Sequence, residues 1–468
     1  MVVRSYSAAS KVARYGDFSA SRGSADYELH GALAEVRAKT RNLARNSGTI
    51  KRYVQLMCDN VVGDMGFSLQ APNSRIEEAW RRWCDNPTVD GSMSMIDLCD
   101  QMVGSWCRDG EFLIEFVVNP EYPDMLALNP LEADMLDETM TTQNPRTKNQ
   151  IKMGVEIDVL GRPVAYWILT SHPGDIASGA PRPRQRHRRV PADRILHVFQ
   201  RLRAGQTRGE PPAGATVNAI KMLDGYREAE VMNRRIAAST MGFFTRETPK
   251  ADGIDALGVT ETDEEGNEEV LVDVQPGTFK QLPDGMRFDK FDPGGSQTDY
   301  HAFEGQVKKE VSMALGISAF ALGMETAGVS YSTGRSVIQE DRDFYKRMQG
   351  FFIRMAMRPM FRKWATQHVL MDGSSIPPTR LQSVVNEIKF RGRGWTWIDP
   401  AKDISANAEA LATYQTSHSK IAADRGMDVT DLFEEIKRDR ELMAQFGLTP
   451  IIQNDKPSPK NEGPVDDE

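Results

Sequence analysis

The chain has 468 residues, 40% hydrophobic and 26% charged, so it can bury a sizeable core and wholesale disorder is excluded. A net charge of -8 argues against a protein that wraps a polyanion tightly, because gripping phosphates takes clustered Lys and Arg. No apolar run approaches the ~20 residues that cross a bilayer, and the first ten residues hold no continuous apolar stretch, so neither a membrane span nor a secretory signal is expected.

At ~150 residues per domain the length predicts about three domains. Residues 1–26, rich in Ser, Ala and Arg, read as disordered. A polar helical stretch covers 27–46. Ile50, Tyr53, Val54, Met57 and Val61 then mark one helical face, with Gly63 as its C-cap. Ile76, Trp80 and Trp83 predict a further helix stopped at Asn86-Pro87. Met95, Leu98, Met102 and Trp106 predict another, stopped near Gly110. These Trp and Met side chains read as core and not as a ligand box. Cys58, Cys84, Cys99 and Cys107 form no CxxC pair and no His follows at ligand spacing, so they read as reduced, mostly buried thiols.

Strand signals follow at 111–118, at 153–160 and 163–170 around a Gly161-Arg162 turn, and at 195–200. The first ~200 residues therefore read as α+β. Between these strands, the Arg- and Pro-rich segment 180–194 admits two readings, an arm that contacts DNA or a solvated loop. The second is favoured, since its prolines oppose regular structure.

A long helix is predicted over 213–244. Val217, Ile220 and Val231 fall on one face and Met222, Tyr226, Ala229 and Ile236 on another. Two apolar faces mean either burial inside one domain or wedging between neighbours. Residues 246–298, acidic and rich in Gly and Pro, read as a small inserted subdomain with strand signals at 270–274 and 277–282. Phe303, Val307, Val311 and Leu315 then make a single helical stripe. A Gly- and Ser-containing loop at 323–334 precedes another long helix bearing Ile338, Tyr345, Met348, Phe352 and Met355. Pro359 should kink or end it. Residues 394–400 open a helical C-terminal section that Leu432, Phe433, Ile436, Leu442, Met443 and Phe446 continue to Gly447. Residues 453–468 read as a disordered acidic tail.

Reactive constellations are missing from the sequence. There is no GxxxxGK[ST], no HExxH and no GxSxG. The seven His are scattered, and His197, inside an apolar strand, reads as a satisfied core residue. The Asp263-Glu264-Glu265 run reads as solvated. No catalytic residue, metal or cofactor is expected.

Several segments, by their order and spacing, resemble the lambda-type portal proteins of tailed phages. They are Asn60-Val61-Val62-Gly63, residues 161–166, His197-Val198-Phe199 leading into residues 205–211 (GQTRGEP), residues 331–335 and residues 395–400. The resemblance covers roughly residues 30–450. It implies a mainly helical α+β portal fold: an N-terminal α/β wing over 27–212, a stem helix over 213–245, a small α/β clip insertion over 246–298 and a second stem helix over 299–320. A tunnel loop, kinked helix and wing return over 321–393 and a helical C-terminal crown over 394–452 would follow. It also implies a homo-oligomeric ring, usually of twelve subunits, at one capsid vertex, passing double-stranded DNA without sequence specificity. The implied partners are the terminase packaging motor, the major capsid protein, the scaffold and the head-tail connector proteins. The implied location is the virion, and the host cytoplasm during assembly.

Carried over by order, Val217, Ile220, Val231, Ile236, Phe303, Val307 and Val311 are expected at stem contacts between subunits. Asp263, Glu264 and Glu265 are expected where the clip docks partners. Met324, Glu325, Gly328, Tyr331, Glu340 and Asp341 are expected near the channel, with Asp343 also offered as an acidic lining. The alternatives are a metal-dependent nucleic-acid enzyme of the packaging machinery, using the carboxylates, and a monomeric scaffold module.

Overall fold

The computed structural model describes residues 21–175, 187–238, 242–246, 259–262, 268–271, 286–290, 297–323, 330–395 and 400–448. The chain forms two compact units: Met1–Gly214 with Val329–Glu468, and Ala215–Gly328.

The larger unit opens with helices α1 (Ala25–Leu29), α2 (Leu33–Asn46) and α3 (Gly48–Met57). The expected face of α3 is buried at Ile50, Tyr53 and Met57. A π turn over Cys58–Val62 carries Val61 and Val62 inward, and Gly63 at φ +67° ends it. A Cβ there would lie 2.7 Å from Arg393. Strand β1 (Ser68–Gln70) leads to α4 (Ser74–Cys84) and α5 (Met95–Asp109). Ser94 and Asp97 close a capping box at the start of α5, and Gly110 at φ +83° terminates it. Strand β2 (Glu111–Val118) lies between β3 (Leu126–Leu131) and β9 (Ile195–Phe199), all antiparallel.

A five-stranded antiparallel sheet is built from β4 (Thr142–Gln143), β5 (Gln150–Lys152), β6 (Val155–Ile157), β7 (Pro163–Leu169) and β8 (His187–Pro191) in that order. The expected turn joins β6 to β7. Asp158 Oδ1 accepts the Leu160 and Arg162 N–H groups, and Gly161 supplies φ +79°. Strand β8 corrects the loop expectation for 180–194, because residues 187–191 pair with β7 from Leu169↔His187 to Ala165↔Pro191. Residues 176–186 lie outside the described residues.

The smaller unit runs α6 (Val217–Ala238), β10 (Gly242–Arg246), β11 (Val259–Thr262), β12 (Glu268–Leu271), β13 (Met286–Lys290) and α7 (Gln297–Leu315). Antiparallel pairing joins β10 to β13 and β11 to β12. The expected strand at 277–282 lies outside the described residues.

The larger unit resumes with α8 (Tyr331–Phe352), a π turn over Ile353–Met357 and α9 (Arg358–His368). Pro359 therefore neither ends nor sharply breaks the helix. The wide turn just before it, with Arg358 N–H bonded to the Ile353 carbonyl, carries the chain past the missing donor. Helix α10 (Leu381–Glu387) and strand β14 (Lys389–Arg391), paired with β1, follow, and then α11 (Pro400–Ala412), α12 (His418–Asp424) and α13 (Val429–Gln445). The core of this unit is aromatic. Trp80 lies 5.0 to 6.0 Å from the rings of Trp83, Trp364, Phe361 and Phe390. The predicted core role of Trp80, Trp83 and Trp106 holds, since all three are buried.

Candidate functional site

Glu111, first residue of β2, is fully buried. Arg208 donates to its Oε1 from Nε at 2.9 Å and Nη2 at 2.6 Å, and Arg37 Nη2 donates at 2.6 Å. His197 Nε2 lies 3.0 Å from Oε2, and the Gly209 N–H donates there at 2.7 Å. Burial pushes the Glu111 carboxyl up, but Arg208, Arg37 and His197 outweigh it and hold it well below the usual range. Burial also pushes His197 down against the pull of Glu111, so its ring is a neutral donor at pH 7.

Arg208 spends its remaining donors on the carbonyls of Leu136, Met153 and Ala133 at 3.0, 2.7 and 3.1 Å. Gly209 is obligatory because a Cβ would lie 2.2 Å from the Gly110 carbonyl oxygen. Thr207 bonds Asp26 through its N–H and hydroxyl, and Gln206 caps Leu202 and Arg203. Residues 206–209 are thus a buried clamp. Breaking such a pair costs about 3–5 kcal/mol because an uncompensated charge stays inside. Sequence reasoning singled the segment out without its role, since Glu111 stands 97 residues away.

The arginines of β8 also serve the fold. Arg188 forks onto Glu115 at 2.6 and 2.5 Å, and Arg189 donates to Glu156 at 2.8 and 3.1 Å. Glu156 accepts further bonds from Asn144, Thr147, Asn149 and Trp167. These two arginines are committed to buried carboxylates, which removes them from the DNA-arm reading.

Two clusters have the residue types of catalysis. His368 Nδ1 lies 3.0 Å from Asp124 and its Nε2 lies 3.0 Å from the Ser375 hydroxyl. That connectivity is a triad's, but Nε2 also takes the Ser375 N–H at 3.2 Å, so the ring ties the turn after α9 and its one lone pair is shared. Glu132, Asp134 and His172 offer three ligand atoms within 4.8 Å of one another. Arg41 already pairs with Asp134, so a guanidinium supplies the charge a cation would bring. The four cysteines are free thiols, and burial pushes Cys58 and Cys99 up to about 12, which leaves them protonated at neutral pH.

In the smaller unit α6 and α7 pack through Tyr226 and Phe303, edge to face at 5.0 Å. Arg227 meets Glu304 at 2.5 Å and Lys308 meets it at 2.9 Å. Burial raises the Glu304 carboxyl, and these two cations outweigh it and hold it low. The expected contact residues divide. Ile220 and Val311 are each only 2% exposed, so the subunit's own core already covers them, a correction to their assignment as contacts between subunits. Val217 and Val307 are half-buried. Val231 and Phe303 are 50% and 49% exposed, and Met222, which sequence reasoning put on the other face, is 76% exposed. The Ile236 side chain lies outside the described residues.

On α8, Tyr331, Glu340 and Asp343 are exposed, but Asp341 is buried one position past the exposed edge and cannot line an open surface. Met324, Glu325, Gly328, Asp263, Glu264 and Glu265 lie outside the described residues. Helix α13 buries none of its side chains, and Phe433, Leu442 and Phe446 stand in solvent.

Residues 12–349 match a family model described as phage portal protein, lambda family. The chain is 29% identical over 441 residues to the probable portal protein of Halomonas phage phiHAP-1, covering 91% of this chain and 84% of that one. It is 20% identical over 462 residues to portal protein B of Escherichia phage lambda, covering 88% and 84%. Among solved structures it is similar to a chain of the virion of a native gene transfer agent particle, at TM-score 0.46 and 13% identity, covering 84% of this chain and 93% of that chain.

Proposed function

The chain belongs to the lambda family of phage portal proteins, and from that membership we propose that copies of it close into a ring, of twelve subunits, that conducts double-stranded DNA at one capsid vertex. The observation that carries the ring is apolar surface left uncovered by the subunit itself. Met222, Val231 and Phe303 on the α6–α7 pair and Phe433, Leu442 and Phe446 on and just after the C-terminal helix are large side chains that keep about half or more of their surface exposed. Heterologous contacts that close a ring cover such patches on every copy at once.

In this reading 27–212 is the wing, 213–245 and 299–320 are the stem, 246–298 is the clip and 394–452 is the crown. The tunnel loop and wing return fall in 321–393. Residues 263–265 would meet the terminase motor and later the connector proteins. Glu340 and Asp343 would face the channel, with residues 324–331 nearby, and would repel rather than hold a polyanion. The major capsid protein and scaffold would meet the outside of the ring. The chemistry of packaging is left to the motor. Negative-stain images of the purified full chain test this: rings with a central hole are expected, and particles without a hole at every concentration would refute it.

A further inference from the structure

Helix α8, the π turn after it and α9 run without a break from Tyr331 to His368, and the charge along them changes sign. Glu340, Asp341 and Asp343 stand in the first part. From Phe344 to Met371 there are six cations, Lys346, Arg347, Arg354, Arg358, Arg362 and Lys363, and no Asp or Glu, on a chain whose net charge is -8. One side of this stretch is core, with Phe352, Met357, Phe361 and Trp364 fully buried. Arg354, Arg358 and Arg362 are exposed, at steps of four residues. Four residues make slightly more than one α turn and slightly less than one π turn, so the row stays aligned across the junction.

Lys346 and Lys363 pair with Asp424 and Asp193, and Arg347 lies 5.2 Å from the Phe344 ring centre. The guanidinium groups of Arg354, Arg358 and Arg362 make no ion pair or hydrogen bond among the described residues. An exposed helix face ordinarily mixes signs, because Glu–Arg pairs four apart stabilise it and like charges four apart repel. Here the fold keeps the repelling arrangement and supplies no counter-ion. The row also lacks the apolar anchors of a protein interface, since no large hydrophobic side chain is exposed between Tyr331 and Leu370.

We propose that this arginine row binds the phosphate backbone of double-stranded nucleic acid without reading its sequence. The inference rests on the reading of the chain as a DNA-conducting portal and adds to it a surface that touches the duplex. Arg354 and Arg362 stand about 12 Å apart along the helix axis, which spans three to four phosphates of one strand at ~3.4 Å each. Each guanidinium offers a planar fork that matches a pair of phosphate oxygens. A convex face of charge without apolar anchors suits a polymer backbone, where contacts position and do not specify.

The test is fluorescence anisotropy of a short labelled duplex of random sequence with the full-chain protein, at about 50 and 200 mM salt. Wild type should bind, with affinity falling as salt rises. The triple variant Arg354→Gln, Arg358→Gln, Arg362→Gln should show a salt slope shallower by about 2.7, at ~0.9 per phosphate. The fourfold rise in salt should then cost wild type about 40-fold more affinity than it costs the variant. Replacing the same three residues with Lys keeps the charge and should keep the slope. If the triple Gln variant misfolds, Arg358→Gln alone should flatten the slope by about 0.9. Arg75→Gln with Arg81→Gln and Arg82→Gln removes three exposed charges from α4 and should change nothing. A row variant that binds like wild type, or an equal loss in the α4 variant, would overturn the proposal. So would a labelled polyglutamate peptide that binds through the row while the duplex does not, which would assign it to an acidic protein partner. Rings whose duplex binding ignores the row would sink the row and keep the portal. Row-dependent duplex binding without rings would do the reverse.

Discussion

Around Glu111 the larger unit buries two guanidinium groups, a carboxylate and an imidazole, and closes the chain over them with Gly209 against Gly110. Along α6 and α7 the smaller unit does the opposite: its charges bridge the two helices near the surface, while Met222, Val231 and Phe303 keep about half or more of their surface exposed. Buried charge fixes one arrangement of one chain, because any slip leaves an ion unpaired. Exposed apolar surface leaves an arrangement incomplete until another surface covers it. The first region is finished as a monomer and the second is not.

That contrast is most exposed at Arg208. Arg208→Ala should cost about 3–5 kcal/mol of folding stability, since Glu111 would remain buried with half its cationic partners gone. Urea unfolding of the soluble protein reads this directly. Ring formation should fall only as folded protein is lost.

Ile220→Asp and Val231→Asp separate the two kinds of position on one helix. Ile220 lies in the subunit's own core, so a charge there should cost several kcal/mol and lower the unfolding midpoint whether or not the protein assembles. Val231 is half exposed, so Val231→Asp should leave subunit stability within about 0.5 kcal/mol while assembly drops. Equal effects of both variants on the unfolding of the dissociated subunit would erase the distinction.

A smaller effect is expected at Glu156. Burial raises its carboxyl, but Arg189, Asn149, Thr147 and Asn144 outweigh it and bring it to about 2. Because the folded value lies below the unfolded one, ~4.3, the stability it contributes is fully present above that value and is lost as pH falls toward 2. Arg189→Ala should lift the folded value, cost about 1–3 kcal/mol at neutral pH and flatten the dependence between these limits. Urea midpoints across that acid range check it.

Elements with strong local signals were legible in the sequence. Helix α5 carries a capping box, a clean apolar stripe and a terminal glycine, and β2 and β7 are apolar runs bounded by turn residues. Strand β8 was hidden because its arginines look solvated until Glu115 and Glu156 arrive from distant strands. Strand β3 was hidden by Pro130, which an edge strand tolerates. Helical spacing divided α6 into two faces but did not tell which positions the subunit itself covers, so Ile220 is buried while Met222 stays exposed. The ion pairs of α8 were equally hidden, because Asp403 for Arg335 and Asp424 for Lys346 come from α11 and α12.

Particle mass of the purified full chain tests the central claim most directly. Closed assembly of identical copies predicts a narrow species near twelve times the 52.4 kDa subunit mass, with Val231→Asp shifted toward the single subunit. A wild-type protein that stays at one subunit mass across a broad concentration range would contradict it.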